Sequence, residues 1–132
     1  MIYMLDTNIL SYLLEGNESV KTKLLSVLNG NTVLIPEIVY YEIQRGLKYK
    51  NAVKKQEVFS QFCQIFGIAY MNKETLDLAS SIYADLRKTG NQIEDDDIFI
   101  GATALEQNAI LVTNNEKHLG RIQNLQIENW CD

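Results

Sequence analysis

The chain has 132 residues, 46% hydrophobic and 22% charged, with one proline and a formal net charge of −5. This is the composition of a soluble globular protein, long enough for one domain over 1–132 with a real core. It argues against a protein that coats nucleic acid through a broad basic field. No apolar run approaches the roughly 20 residues that span a bilayer, and Met1-Ile2-Tyr3-Met4-Leu5-Asp6 lacks the basic start and apolar segment of a signal peptide. Cys63 and Cys131 are far apart, without metal-ligand or redox spacing. The expectation is a cytoplasmic protein with reduced thiols and no membrane contact.

In chain order, Ile2–Leu5 reads as a buried strand that ends at Asp6, and Thr7–Glu15 as a short helix capped by Asp6 or Thr7. Glu18–Leu28 carries Val20, Leu24, Leu25 and Leu28 at helical spacing, and Asn29-Gly30-Asn31 breaks it. Thr32–Ile35 is a second short strand. Pro36 then suits the first position of a helix running to about Gly46, where its missing N–H costs nothing. Further helices are expected over about Ala52–Phe66, Lys73–Lys88 (ending at Gly90) and Asp96–Gln107. Strands are expected at Ile68–Met71, Ala109–Thr113 and Leu125–Ile127. Strands alternating with helical crossovers imply an α/β fold with a mainly parallel sheet of four to five strands between helices.

Asp6 stands on the carboxyl rim of the first strand, where open α/β sheets bind ligands. Glu42 conflicts with its helix. Ile35, Ile38, Val39, Glu42, Ile43 and Gly46 fall on one face, so a carboxylate occupies an apolar position. Such a group must be paired, protonated or bound to a cation, because leaving it bare costs several kcal/mol. Pairing with Arg45 or Arg87 is the structural alternative. In Glu94-Asp95-Asp96-Asp97 some carboxylates serve only to offset the helix dipole. Asp97 shares the inward phase with Ile100 and Ala104, whereas Asp96 is expected to point outward and Asp95 to cap the helix or support the site. Thr113, Asn114 and Asn115 lie on the same rim if their strand neighbours the first, although Asn-Asn also serves turns well. His118 reads as a surface loop residue. The basic stretch Arg45, Lys48, Lys50, Lys54 and Lys55 reads as a solvated helix end and loop, with contact to RNA phosphates as the alternative.

A carboxylate cluster with little else suits Mg²⁺ or Mn²⁺, hard cations that prefer oxygen and keep several waters. Such an ion activates water and stabilises charge on a phosphodiester. The sequence offers no Ser/His/Asp or Cys/His arrangement and no phosphate-binding glycine loop in competition.

Four segments in order carry a family resemblance: Met4-Leu5-Asp6-Thr7-Asn8; Val39-Tyr40-Tyr41-Glu42-Ile43; Asp95-Asp96-Asp97-Ile98-Phe99-Ile100-Gly101-Ala102; and Leu111-Val112-Thr113-Asn114-Asn115, closing on Ile127-Glu128-Asn129-Trp130. Over essentially its whole length the chain resembles a PIN-domain ribonuclease of the VapC toxin type. The resemblance implies a PIN-like three-layer α/β/α fold and a Mg²⁺-dependent endoribonuclease. It also implies a homodimer, expected to pair through helices of the 18–66 region, and a cognate antitoxin whose tail covers the active site. By motif, Asp6, Glu42 and Asp97 match the family's acidic triad, with Asp6 and Asp97 as metal ligands and Asp95, Thr113 and Asn115 as supporting candidates. Asn115 is the nearest match to a fourth, often acidic, position, and His118-Leu119 stands where many members carry an acid and Phe. That departure bears on a second metal and not on the first. The closing segment and the stretch from Ala84-Asp85-Leu86-Arg87 resemble the branch that cleaves initiator tRNA in its anticodon loop.

Three other readings compete. An aspartate-nucleophile phosphotransfer enzyme needs a second Asp two residues after the first, where this chain has Asn8. A receiver-like signalling domain needs an Asp ending a middle strand and a downstream strand-end Lys, and neither is found. The third is a PIN-like binding module without catalysis, against which the intact Asp6, Glu42 and Asp97 argue.

Overall fold

β1 (Ile2–Leu5) is the middle strand of a five-stranded, wholly parallel sheet in the computed structural model, which describes residues 1–131. β2 (Thr32–Pro36) and β3 (Gly67–Ala69) lie on one side of it, β4 (Ile110–Val112) and β5 (Gln126–Glu128) on the other, in the order β3-β2-β1-β4-β5. Tyr3, Met4 and Leu5 pair with Ile110, Leu111 and Val112. Met4, Leu5, Leu111 and Val112 are completely or almost completely buried, as expected for parallel strands covered on both faces. Chain progression reverses between β1 and β4, so the crevice outside their carboxyl ends is the sheet's switch point. Asp6 and Thr113 are the residues that follow these two strands.

Seven helices are found among the described residues: α1 (Thr7–Leu14), α2 (Glu18–Leu28), α3 (Glu37–Tyr49), α4 (Val53–Ile65), α5 (Lys73–Lys88), α6 (Asp95–Glu106) and α7 (Glu116–Leu119). With the right-handed crossovers that parallel strands adopt, this order sets α1 to α4 on one face of the sheet and α5 to α7 on the other. The helices pack accordingly, α1 on α2 and α3, α3 on α4, and α6 on α5 and α7. This is a three-layer α/β/α arrangement. No described helix is long and apolar enough to cross a membrane.

Several local expectations are corrected. Pro36 ends β2 and caps α3 instead of opening it, because it still keeps an extended ψ and stands in the sheet register opposite Ala69. α3 runs past Gly46 to Tyr49, since Leu47 extends the buried stripe of Val39 and Ile43. α6 begins at Asp95 with Glu94 as its cap, one residue earlier than the sequence indicated. Leu25 is 61% exposed despite its helical spacing, and only Val20 and Leu24 of α2 are buried. The short α7 was not expected; four residues are too few to show a helical period.

α3, which carries Glu42, packs between α1 and α4. Phe59 is the single fully buried side chain of α4, and its ring lies 5.6 Å from that of Tyr40 on α3. Glu37 Oε1 accepts a hydrogen bond from the Met71 backbone N–H at 2.5 Å, tying the start of α3 to the loop after β3. Phe59→Ala is therefore expected to destabilise the protein by about 3–5 kcal/mol, read as a lower urea midpoint. A loss below about 1 kcal/mol would show that α4 is held by other means.

Candidate active site

The site starts from a strand that has run out of sheet. Asp6 follows β1, donates its backbone N–H to the Val112 carbonyl at 2.9 Å, and is the N-cap of α1. Its Oδ1 accepts from the Thr7 backbone N–H at 2.7 Å, and its Oδ2 from the Thr113 hydroxyl at 2.7 Å and the Asn8 amide at 3.5 Å. The side chain is thus locked from both strands at 4% exposure. Thr113, wholly buried, donates to Asp6 and accepts from the Asn115 backbone N–H at 2.9 Å. Asn8 also accepts from the Asn114 backbone N–H at 3.1 Å, which pins the loop after β4 to α1. This is a positioning role and gives Asn8 no part as an acid or base.

Thr7 turns its hydroxyl the other way and donates to Glu42 Oε1 at 2.7 Å. Glu42 lies at the edge of the apolar stripe of α3, with its side chain 14% exposed. Arg45 approaches its second oxygen at 3.9 Å, but the guanidinium is 58% exposed and lies over Tyr41, so the pairing is weak. Arg87, the other proposed partner, lies instead over the ring of Tyr83.

The first turn of α6 brings in the remaining acids. Asp97 is 14% exposed, with Oδ2 3.5 Å from the Asn115 amide and 4.0 Å from His118 Nδ1. Asp96 is half-buried, its Oδ1 accepts from the Asp97 backbone N–H at 2.9 Å, and its charge acts on Asp6, Glu42 and Asp97. Asp95 is exposed and lines a neighbouring cavity. The expected roles of Asp95 and Asp96 are therefore exchanged. The cause is local: in the first turn of α6 the Asp97 N–H has no helical acceptor, and Asp96 turns its carboxylate back to accept it. His118, expected on a surface loop, is half-buried beside Asp97 because α7 folds it back. No sequence signal reports a contact made by so short a helix.

Crowding of like charge sets the electrostatics. Burial raises the Asp97 carboxyl first, and the charges of Asp96, Asp6, Glu42 and Glu94 then push it up to about 7. Burial also raises Asp6, against the hydrogen bonds from Thr113 and Thr7. Glu42 is raised by burial and by Asp96, and the Thr7 hydroxyl and Arg45 partly offset this. The donors are all oxygen, which suits a hard cation and not Zn²⁺. No three His, Cys, Asp or Glu side chains among the described residues close into a ligand cage. The chemistry of the donors, carboxylates without a nitrogen or sulfur ligand between them, fits an ion such as Mg²⁺ that binds through one or two carboxylates.

Two cavities flank the acids. One, of about 180 Å³, is lined by Thr7 and Glu42 at one end and by Lys50 and Lys55 at the other. The second, of about 370 Å³, contains Tyr83, Arg87, Asp95 and His118.

Comparison with known proteins places this geometry in a family. The PIN domain family matches residues 3–125. Ribonuclease VapC2 of Rickettsia felis is 35% identical over 132 residues, covering 98% of each chain. Ribonuclease VapC1 of Haemophilus influenzae is 31% identical over 135 residues, again covering 98% of each. The structure of VapBC2 from Rickettsia felis, bound to a DNA fragment from their promoter, superposes with a TM-score of 0.93 at 33% identity, covering 99% of this chain and 100% of that one. VapBC-1 from nontypeable Haemophilus influenzae gives a TM-score of 0.88 at 29% identity over 98% of both chains. With a buried carboxylate cluster at the switch point of a parallel sheet and full-length relatives of this kind, the chain belongs to the PIN-domain family and, within it, to the VapC ribonucleases.

Proposed function

We propose that the protein is a Mg²⁺-dependent endoribonuclease toxin, with Mn²⁺ as an alternative ion, that cleaves tRNA and is silenced by a cognate antitoxin. The observation that carries this reading is the linkage of the acids at one rim: Thr7 bonds both Asp6 and Glu42, and Thr113 bonds Asp6 and Asn115, whose amide reaches Asp97. Burial and then neighbouring charge raise the Asp97 carboxyl to about 7. Full-length relatives named as ribonucleases support the reaction class, and neighbours solved as toxin–antitoxin assemblies support the antitoxin. The initiator-tRNA anticodon loop is the proposed target, on the sequence resemblance described above. The protein is proposed to act as a homodimer.

Asp6 and Asp97 would hold the cation, with Asp96 and Glu42 facing the same space. When bound, the ion supplies a water of lowered pKa and neutralises charge on the phosphodiester. The chain's own groups do the rest. Thr113 and the Thr7 backbone fix both oxygens of Asp6. The Thr7 hydroxyl occupies Glu42 Oε1, leaving Oε2 to take a proton from the attacking water. Burial makes Glu42 a stronger base than an exposed carboxylate. As water attacks, the new O–P bond forms, one bridging P–O bond breaks, and the leaving oxygen gains a proton. Lys50 and Lys55 are placed to meet phosphates of the strand leaving past Glu42.

Purified protein should cut total tRNA at one site in Mg²⁺ and not in EDTA. Asp6→Asn and Asp97→Asn should each lose more than about 100-fold in rate, and Thr113→Val, which frees Asp6 without adding bulk, about 10–100-fold. Full activity in a folded Asp97→Asn protein would refute the assignment.

Stability of the metal-free protein should carry the opposite pH sign from that of a salt-bridged acid. Because the folded Asp97 pKa is raised from 3.8 to about 7, the folded state binds the extra proton between those values. Its contribution is complete below the unfolded pKa and is lost as pH rises through about 7. Thermal melts in EDTA should show wild type losing more Tm than Asp97→Asn between about pH 5 and pH 8, with Mg²⁺ restoring wild type most at the higher pH. Equal slopes for the two proteins would contradict the crowding of Asp97.

A further inference from the structure

The cavity of about 370 Å³ on the far side of Asp97 has no part in the chemistry described so far. His118 joins it to the acids, since the ring lines the cavity while Nδ1 stands 4.0 Å from Asp97 Oδ2. The opposite wall is Tyr83 of α5, 43% exposed, with the Arg87 guanidinium 4.8 Å from its ring centroid. Gln92, Ile93, Glu94 and Asp95 complete the lining. The loop that carries them is held in place: Arg121 donates to the Gln92 carbonyl at 3.1 Å, and the Asn91 backbone N–H to the Leu86 carbonyl at 2.8 Å. Asp95 is exposed and forms no hydrogen bond or ion pair through its side chain among the described residues.

We propose that this cavity receives an unpaired nucleobase next to the cleaved phosphate, stacked on the Tyr83–Arg87 pair and read by Asp95 and Glu94. The inference rests on the ribonuclease reading for its occupant. Single-stranded RNA is held by stacking on aromatic rings and guanidinium planes, and an exposed Tyr beneath an Arg is such a platform. A phosphate is the alternative guest for Arg87, but here two carboxylates face a single guanidinium, whereas two lysines balance the two carboxylates of the other cavity. The same carboxylates only accept hydrogen bonds and so select a base edge rich in N–H groups. Guanine, with adjacent imino and amino donors, meets that demand best, and uracil, with one, meets it least. Tyr83, Arg87 and Asp95 thus set specificity and take no proton.

The test is cleavage of a randomised single-stranded RNA library in Mg²⁺, with product ends sequenced, by wild type, Tyr83→Leu, Tyr83→Phe and Asp95→Asn. Wild type should favour guanine at one position beside the cut. Tyr83→Leu should raise KM about tenfold with kcat within about threefold, Tyr83→Phe should behave as wild type, and Asp95→Asn should lose the base preference. Both positions are solvent-exposed, and unchanged melting curves would confirm the folds. A second arm measures quenching of 2-aminopurine, placed at each position of an RNA hexamer in turn, by Asp97→Asn with and without Tyr83→Leu. Quenching at one position that requires Tyr83 supports the subsite even if wild type cuts nothing, in which case the nuclease reading falls alone. Cleavage with wild-type KM and base preference in Tyr83→Leu and Asp95→Asn overturns the subsite and leaves the nuclease. Neither quenching nor cleavage overturns both.

Discussion

Repulsion among carboxylates at the end of β1 and the start of α6 is the constraint on which the rest of this structure turns. Asp6, Glu42, Asp96 and Asp97 come from three separate segments; burial raises Asp6, Glu42 and Asp97, the charge of Asp96 adds to all three, and those of Asp6 and Glu42 add to Asp97. A fold gains nothing from such a cluster by itself, since one exposed, solvated acid would cost less than a buried group that must carry a proton near neutrality. The arrangement becomes favourable when positive charge enters among them. Oxygen-only donors match a hard cation that retains water and shares its shell with a phosphate.

The scaffold holds these groups where repulsion would otherwise spread them. Parallel pairing of β1 with β4 sets Asp6 and Thr113 side by side, and the Thr113 hydroxyl then fixes one Asp6 oxygen while the Thr7 N–H fixes the other. Thr7 also reaches Glu42, so a two-residue turn from strand to helix organises acids on β1 and α3 together. α3, which carries Glu42, is itself packed on α4 through the Tyr40–Phe59 ring contact. Flanking cavities differ in character. One carries lysines suited to phosphates, and the other an aromatic–guanidinium platform with carboxylates suited to a base. Under the proposed function, a single strand crossing the rim would meet both.

Much of this was legible in the chain. Asp6 declares itself by ending an apolar run, and Glu42 by breaking an apolar stripe, because burying a carboxylate contradicts the pattern around it. The strand–helix alternation gave the parallel sheet, and the spacing of Ile100 and Ala104 gave the inward phase of Asp97. What stayed hidden depends on tertiary placement. Helical phase separates Asp96 from Asp97, yet the charge of Asp96 acts on Asp6, Glu42 and Asp97. His118 arrives through a four-residue helix too short to leave a periodic trace. Arg87 looked like a partner for Glu42 by charge alone, and only the fold shows it over Tyr83. Leu25 has the spacing of a core residue but nothing packs over it, since periodicity reports a face and not its neighbour.

The central claim is that the acidic rim exists to hold a divalent cation. Its most direct test is titration of EDTA-stripped protein with Mn²⁺, following the free ion by electron paramagnetic resonance. The account predicts saturable uptake that Mg²⁺ displaces, weakened at least about tenfold by Asp6→Asn and by Asp97→Asn, and unaltered by Glu57→Gln on the exposed face of α4. Uptake that survives both rim substitutions, or that Glu57→Gln weakens equally, would contradict it.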